Sequence, residues 1–445
     1  MSISRPLAAA LLLAALHMLI FDRGLGGDGW ASFSTLESLV EDGDLWVEDD
    51  HRGVMNGLVE ARPGHLAMQY PPGVLALDVL PFLAGRILDA ALPSGWLAGG
   101  VELPPAGRVP REVFFSAAFI VLARNLVVLL GMLWIAQALR RTGFPERTSA
   151  LAASFAFFGG PLIFYSLVGM THAPVFALGG LLLLLLSRFR QTGDPRLALA
   201  AGIVVGSAVL LRYGSVALAA PALLALALGP GGFRVRRWAG FGMGFGLALL
   251  PLPLWWRAVF GAWTFPYGGT WEISAASPWN VLFSPVHGLF LFHPALLFAA
   301  AGLILAAGRE IGRRLPGEGT VAAVWFLAVA VLFGWWSEWE NTGGYGQRFL
   351  VDALPACALG FAAFLESGRQ VWKGAALTAA TLFGYLLFFT AVGGLAPPPP
   401  GFPWPQRLSD YAPLVRRPPG PGDLWDGLRR ASLPARALAG PPESR

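Results

Sequence analysis

Long apolar runs separated by short polar breaks recur from Leu7 to Leu395. They are Pro6–Phe21, Val74–Leu92, Val113–Leu139, Ser149–Val168, Ala173–Ser187, Leu197–Leu211, Ser215–Leu228, Trp238–Phe260, Pro285–Ala307, Thr320–Trp336, Phe349–Leu365 and Gly374–Leu395. A bilayer core about 30 Å thick asks a spanning helix for roughly 20 predominantly apolar residues, and the runs approach that length. The alternating pattern of a membrane β-barrel is missing. The pattern predicts an all-α, polytopic membrane protein with about twelve transmembrane helices. No internal repeat of fixed period is visible.

The polar breaks carry a sidedness. After the first run comes Asp22-Arg23 with no small-residue cleavage site, so Pro6–Phe21 reads as an uncleaved helix with a cytoplasmic N-terminus. Residues 22–72 form an acidic loop, with ten acidic residues between Asp22 and Tyr70 against Arg23, Arg52 and Arg62. The later loops around Arg188/Arg190/Arg196, Arg234/Arg236/Arg237, Arg309/Arg313/Arg314 and Arg369/Lys373 are basic. Basic loops mark the cytoplasmic side, which places the acidic loop outside and predicts a multi-pass protein of the cell (inner or plasma) membrane. Between that loop and Arg140-Arg141 the alternation fails. Either Val74–Leu92, with Asp78, Arg86 and Asp89, is not a full span, or Val113–Leu139, interrupted by Arg124-Asn125, is two elements. The transmembrane module is expected over 1–396, followed by a Pro/Gly-rich extracytoplasmic tail over 397–445, where Pro397–Pro400 cannot be helical.

Composition sharpens the class. The chain has 445 residues with 13% charged, about half the usual 25%. A soluble enzyme and a disordered chain are excluded, and a lone Cys357 excludes a disulfide scaffold. The net charge of +5 does not point to nucleic acid, because the basic residues sit in short loops between apolar runs. Thirty-one of the 32 basic residues are arginine, Lys373 being the exception, a bias that reads mainly as genome composition.

Candidate chemistry concentrates in the acidic loop. Gly24-Leu25-Gly26-Gly27-Asp28-Gly29 matches a dinucleotide fingerprint literally, but a membrane helix precedes it where a strand is required. The glycines instead permit a sharp turn that presents Asp28. From Trp30 to Val40, Phe33, Leu36, Leu39 and Val40 share a helical face, and Ser34 and Glu37 have capping-box spacing. This predicts an amphipathic juxtamembrane helix lying on the bilayer. Glu41-Asp42-Gly43-Asp44 ends it, the acidic triplet Glu48-Asp49-Asp50 follows, and Gln69-Tyr70-Pro71-Pro72-Gly73 leads rigidly into the next run.

This order of features resembles the GT-C-type integral-membrane glycosyltransferases, relatives of protein O-mannosyltransferases and the lipid A aminoarabinose transferase. Three later segments are similar to that family's motifs: Gly202 to Arg212 (GIVVGSAVLLR), Ser284 to Pro294 (SPVHGLFLFHP) and Gly343 to Leu350 (GGYGQRFL) with Leu354-Pro355. The resemblance runs over residues 5–366 and is absent from the tail. It implies a hexosyl or pentosyl transferase moving a sugar from a polyprenyl-phosphate donor to a glycan, lipid or protein acceptor on the extracytoplasmic face.

Such chemistry needs a carboxylate to take the acceptor's proton and cations to hold the leaving phosphate. By position Asp28 is the expected general base; the family often has Asp-Glu here, whereas this chain has Asp28-Gly29, so a second carboxylate must come from elsewhere, with Glu48, Asp49 and Asp50 nearest. Each of these is otherwise a solvated loop residue. Arg348 is the leading phosphate contact, following flexible glycines at a helix mouth; its alternative is an interfacial arginine reaching headgroups. Arg124 and Arg212 lie within or beside apolar runs, where a charge either lines a site or pairs with a buried carboxylate. Tyr70 and Tyr345, from the two matching motifs, complete the expected substrate contacts. His172, near a place where the family often has an acidic residue, either touches substrate or is a hydrogen-bonded helix-end histidine. His287 and His293 lack the i, i+4 spacing of a helical metal pair. No cofactor is required, although the acidic loop offers oxygen ligands for Mg or Mn. Trp271, Trp279, Trp335, Trp336 and Trp339 fit an aromatic belt. The alternative function, a non-enzymatic transporter or flippase of lipid-linked sugars, would place polar groups at mid-membrane rather than in one loop.

Overall fold

A computed structural model describes residues 3–21, 25, 27–47, 57–92, 102–103, 107–108, 113–167, 169–230, 232, 234–263, 278–312, 317–336, 346–367, 377 and 380–388. The helices are α1 (Arg5–Phe21), α2 (Gly27–Glu41), α3 (Gly73–Ala91), α4 (Phe114–Arg141), α5 (Glu146–Phe158), α6 (Leu162–Tyr165), α7 (His172–Thr192) and α8 (Pro195–Leu211). A 3-10 turn (Tyr213–Leu218) leads into α9 (Ala219–Ala227), then α10 (Val235–Leu249), α11 (Pro251–Phe260), α12 (Pro278–Phe283), α13 (Leu289–Phe292), α14 (Leu296–Gly312) and α15 (Glu318–Trp335). A second 3-10 turn (Arg348–Ala353) opens α16 (Leu354–Glu366).

Among the described residues five helical stretches are long and apolar enough to cross a membrane: Phe114–Arg141, His172–Thr192, Val235–Phe260, Glu318–Trp335 and Arg348–Glu366. The chain is a multi-pass membrane protein. The five do not by themselves make up the expected twelve, because several apolar runs are broken. Ser149–Val168 stops at Gly159, the C-cap of α5, and restarts after Pro161 as α6. Pro285–Ala307 is divided at His293-Pro294 into α13 and α14. The all-α expectation also needs amending. Two small antiparallel hairpins are present, β1 (Leu58–Arg62) with β2 (His65–Met68), and β3 (Glu102–Leu103) with β4 (Gly107–Arg108). The turn at Pro63-Gly64, where Gly64 has φ +78°, was the legible signal for the first.

The two ends of the bundle differ in charge. At one end Gln191 Nε2 donates to the Arg141 carbonyl (2.8 Å), Arg190 pairs with Glu318 (3.7 Å) and Arg237 Nε donates to the Gly193 carbonyl (3.1 Å). The arginine-bearing turns after α4 and α7 and before α10 therefore gather there. At the other end lie α2, the first hairpin, the start of α7 and the end of α8, with Arg62 Nη2 donating to the Ala258 carbonyl of α11 (3.2 Å).

The failed alternation has a geometric answer. α4 is one continuous helix through Arg124-Asn125, which removes the two-element alternative. Gly131 of α4 packs against Phe176, Ala177 and Gly180, so residues 114–125 project beyond the start of α7, about 18 Å at 1.5 Å per residue. α3 runs antiparallel to this overhang: Asp78 meets Arg124, Gly85 closes on Ser116, and Asp89 accepts from the Phe115 amide (2.8 Å). Its own start packs on Leu210 at the end of α8. α3 therefore begins at the α2 end, runs outward along α4, and never reaches the basic end. Val74–Leu92 is not a full passage.

Two apolar cores follow from this layout. The larger joins α1, α4 to α9 and α14 to α16. The smaller joins α2, β2, α3 and the overhang of α4, with Phe33 and Phe82 ring to ring at 5.3 Å. Phe33 and Leu36 of α2 are buried in protein, while Leu39 and Val40 stay exposed. The capping-box expectation fails because α2 starts at Gly27, which leaves Ser34 inside the helix.

Candidate active site

The charged end is assembled from three close approaches to glycine, two by backbone and one by a side chain. A Cβ on Gly29 would lie 2.8 Å from the Gly169 carbonyl, so the first turn of α2 abuts the turn that opens α7. A Cβ on Gly73 would lie 2.5 Å from the Leu210 carbonyl, which sets the Tyr-Pro-Pro-Gly segment against the end of α8. Gly57, at φ +91°, lets the half-buried Tyr70 ring pack over it and beside Ala31. Asp28 belongs by its backbone to the first turn of α2, where the exposed N–H groups favour a carboxylate. Its side chain lies outside the described residues, as do Glu48, Asp49, Asp50 and Tyr345.

Opposite that turn the structure brings together His172, Arg212 and Arg348, with both guanidinium charges acting on the imidazole. His172 is the first residue of α7, buried, stacked on Tyr165 at 4.8 Å. Arg212 leaves the end of α8 with extended backbone and turns its Nη1 to Asp352 Oδ1 (2.9 Å). Ser215 Oγ donates to the other oxygen of Asp352 (2.8 Å), and Trp325 Nε1 donates to the Asp352 carbonyl (2.9 Å). The faces of Phe333 and Phe349 flank Arg212 at 5.0 and 4.9 Å. Arg348 rests its guanidinium over Phe349 at 5.2 Å and reaches Met170 Sδ at 4.0 Å. It ion-pairs with no described carboxylate and has no hydrogen-bond partner for Nε. A half-buried guanidinium left in this state suits a phosphate oxyanion.

Arg124 is engaged elsewhere. Its Nε donates to Asp78 Oδ1 (3.0 Å), Nη2 reaches Asp78 Oδ2, and Nη2 also donates to Ser32 Oγ (3.2 Å). Ser32 Oγ in turn donates to the Gly29 carbonyl (2.8 Å). The buried pair thus holds the first turn of α2 in place rather than opening onto the arginine cluster. Asp352 and His287 were missed as site residues. Asp352 stands four residues after Arg348 in one helical segment, which is the signal that was available. His287 is buried in the turn before α13, within electrostatic reach of Arg348. Among the described residues no three of His, Cys, Asp or Glu gather as a metal site.

The architecture has solved counterparts. Its fold is similar to that of ArnT. The crystal structure of ArnT from Cupriavidus metallidurans bound to undecaprenyl phosphate matches with a TM-score of 0.54 and 15% identity, over 97% of this chain and 74% of that one. The oligosaccharyltransferase of Archaeoglobus fulgidus in complex with Zn and sulfate matches with a TM-score of 0.46 and 14% identity, over 99% of this chain and 54% of its own. No protein-family model and no curated sequence matches the chain. At such identity the ArnT likeness is one of fold, and it bears out the GT-C architecture expected from the four motifs. Those motifs also contribute the parts of this end: Asp28 and Tyr70 from the first stretch, Arg212 from the second, His287 from the third, Arg348 from the fourth.

Proposed function

We propose that this chain is a membrane glycosyltransferase that moves a hexose or pentose from a polyprenyl-phosphate carrier to a lipid, glycan or protein acceptor on the extracytoplasmic face. The observation that carries the reading is the convergence, in an ArnT-like fold, of Arg348 and Arg212 on the turn that abuts the N-terminus bearing Asp28. ArnT was crystallised with undecaprenyl phosphate, and a carrier of that class is the expected donor here. Basic turns at the opposite end support a cytoplasmic N-terminus and an outward-facing site.

In this reaction the acceptor oxygen attacks the anomeric carbon of the sugar. The bond from that carbon to the phosphate oxygen breaks, and polyprenyl phosphate leaves with the bonding pair. Asp28 takes the acceptor proton, and Arg348 grips the phosphate as negative charge grows on it. Arg212, held by Asp352, adds a fixed positive charge on the same side. The transporter reading is weaker, because His172, Arg212 and Arg348 of this site sit at helix ends rather than midway along helices.

The test is sugar transfer in proteoliposomes supplied with an undecaprenyl-phosphate-linked sugar and extracted envelope acceptors. Asp28→Asn should lower turnover by about 10²- to 10⁴-fold, the span of general base catalysis, with unchanged thermal unfolding. Wild-type turnover in that variant would remove Asp28 from the chemistry.

A further inference from the structure

His17 is a polar side chain set in the first apolar run, and it is buried at 5% exposure. A polar group so placed needs its hydrogen bonds met. Both ring nitrogens are engaged: Nε2 lies 3.1 Å from the Ile163 carbonyl of α6, and Nδ1 lies 3.1 Å from the Tyr385 hydroxyl. A carbonyl only accepts, so Nε2 carries the hydrogen, and in a neutral ring Nδ1 is left to accept from Tyr385. Phe157, Phe158 and Phe388 enclose the imidazole, with ring centroids at 5.7, 5.9 and 5.2 Å. One side chain thus joins α1, the break between α5 and α6, and the helical residues 380–388 of the last apolar run.

The bond to α6 is made at a gap in the helix ladder. α6 is a single turn, and the Leu167 amide, which would reach the Ile163 carbonyl in a continuing helix, bonds to the Phe164 carbonyl instead (2.9 Å). His17 supplies the donor that the helix break withdrew. α6 then runs into the turn before α7, and that turn touches both halves of the candidate site. Its Gly169 carbonyl abuts Gly29, in the first turn of α2 that bears Asp28, and its Met170 Sδ lies 4.0 Å from Arg348 Nη1. Just before α6, a Cβ on Gly160 would lie 2.6 Å from Leu354, which follows the 3-10 turn opened by Arg348. The chain from Gly160 to Met170 is therefore a spacer between the expected base and the phosphate cation, and His17 ties it down at Ile163.

We propose that His17 and Tyr385 are positioning residues for sugar transfer: the series Tyr385, His17, Ile163 carbonyl locks the α6 spacer, and with it the separation of Asp28 from Arg348. The inference rests on the glycosyltransferase reading and adds to it residues that act on the site through α6. Tyr385 lies beyond residue 366, where the motif resemblance ends, so the last apolar run takes a part in the site that no motif marks.

The experiment uses the full chain in proteoliposomes with undecaprenyl-phosphate-linked hexose and an excess of extracted envelope acceptors. Turnover and donor KM are measured together, with thermal unfolding in parallel. His17→Leu leaves the Ile163 carbonyl unmatched, and kcat per folded molecule should fall about 10- to 100-fold, as for a misplacement of about 1 Å. Donor KM should stay within about twofold, because the change touches alignment and not donor binding. His17→Gln, whose amide can donate to the carbonyl and accept from Tyr385, should bring kcat back to within about threefold of wild type. Tyr385→Phe removes one hydroxyl and should lower kcat about 3- to 10-fold, which decides the matter if the leucine variant folds poorly. Added to Asp28→Asn, His17→Leu should cost no more than about another twofold, since groups that act as a unit are not additive. A full multiplicative loss in that double variant would overturn the inference. So would wild-type kcat per folded molecule in Tyr385→Phe and His17→Leu, or a raised KM at unchanged kcat. Absence of transfer by wild type would instead overturn the glycosyltransferase reading, and this inference with it.

Discussion

The two arginine–aspartate pairs of this protein look alike in composition and differ in setting. Arg124 and Asp78 are sealed, with side-chain exposures of 1% and 0%, and their remaining contact is Ser32. Arg212 keeps 12% exposure while Asp352 has none, and it faces His172 as well as its carboxylate. The sealed pair closes α3 onto the overhang of α4 and steadies the turn that bears Asp28. The open pair aims a cation at the place where phosphate is expected. The same chemical couple therefore serves architecture in one region and charge placement in the other, and what separates them is access.

The largest effect should come from breaking the sealed pair. Arg124→Ala leaves Asp78 buried and uncompensated, which should cost about 3–5 kcal/mol in unfolding measured in detergent. Replacing both residues, Asp78→Leu with Arg124→Met, should restore most of that stability, since a buried pair is often matched by apolar packing of similar volume. A double variant as unstable as the single one would show that the pair is more than a sealed contact. Next in size is Asp352→Asn. Here Arg212 retains Ser215 nearby and a route to anions, so the loss should be about 1–3 kcal/mol. Undecaprenyl phosphate should raise the unfolding temperature of Arg124→Ala as much as that of wild type, and raise that of Asp352→Asn by a different amount, because only the second variant alters a cation that faces the phosphate. An equal rise in all three would erase the distinction.

The seam between the two regions can be tested at Gly73. Its Cβ would meet the Leu210 carbonyl, backbone against backbone. Gly73→Ala should cost about 1–3 kcal/mol by overpacking and lower transfer by shifting Arg212, two residues beyond Leu210. Transfer unchanged at reduced stability would uncouple the seam from the site. The smallest effect belongs to the exposed pair of Arg86 with Glu41, where Glu41→Gln should change stability by less than about 1 kcal/mol. That pair is the reference for an ion pair in contact with solvent.

Much of the architecture was legible because apolar run length and loop charge are one-dimensional records of a three-dimensional constraint. The continuous helix at Arg124-Asn125 was not, since an internal charge reads equally as a break or as half of a buried pair. Only Asp78, 46 residues earlier, decides between them. The start of α2 was misplaced because the Ser34–Glu37 spacing carried the expectation, whereas close packing of Gly29 on Gly169 accompanies a helix that already begins at Gly27. His287 was set aside because its spacing to His293 excluded a helical metal pair. Its relevance lies in Arg348, which no local pattern connects to it.

By itself the sequence determined a multi-pass helical protein with a sorted charge distribution, and its motifs named Arg212 and Arg348 as the cations to watch. Both follow from local requirements: apolar length to cross lipid, and charge at the ends of helices. Tertiary structure alone decided which arginine is sealed and which faces the site, that α3 turns outward instead of crossing, and that two buried imidazoles, His172 and His287, lie within electrostatic reach of Arg348. A charge buried in a bundle is defined by the partner it meets, and that partner comes from distant stretches of chain.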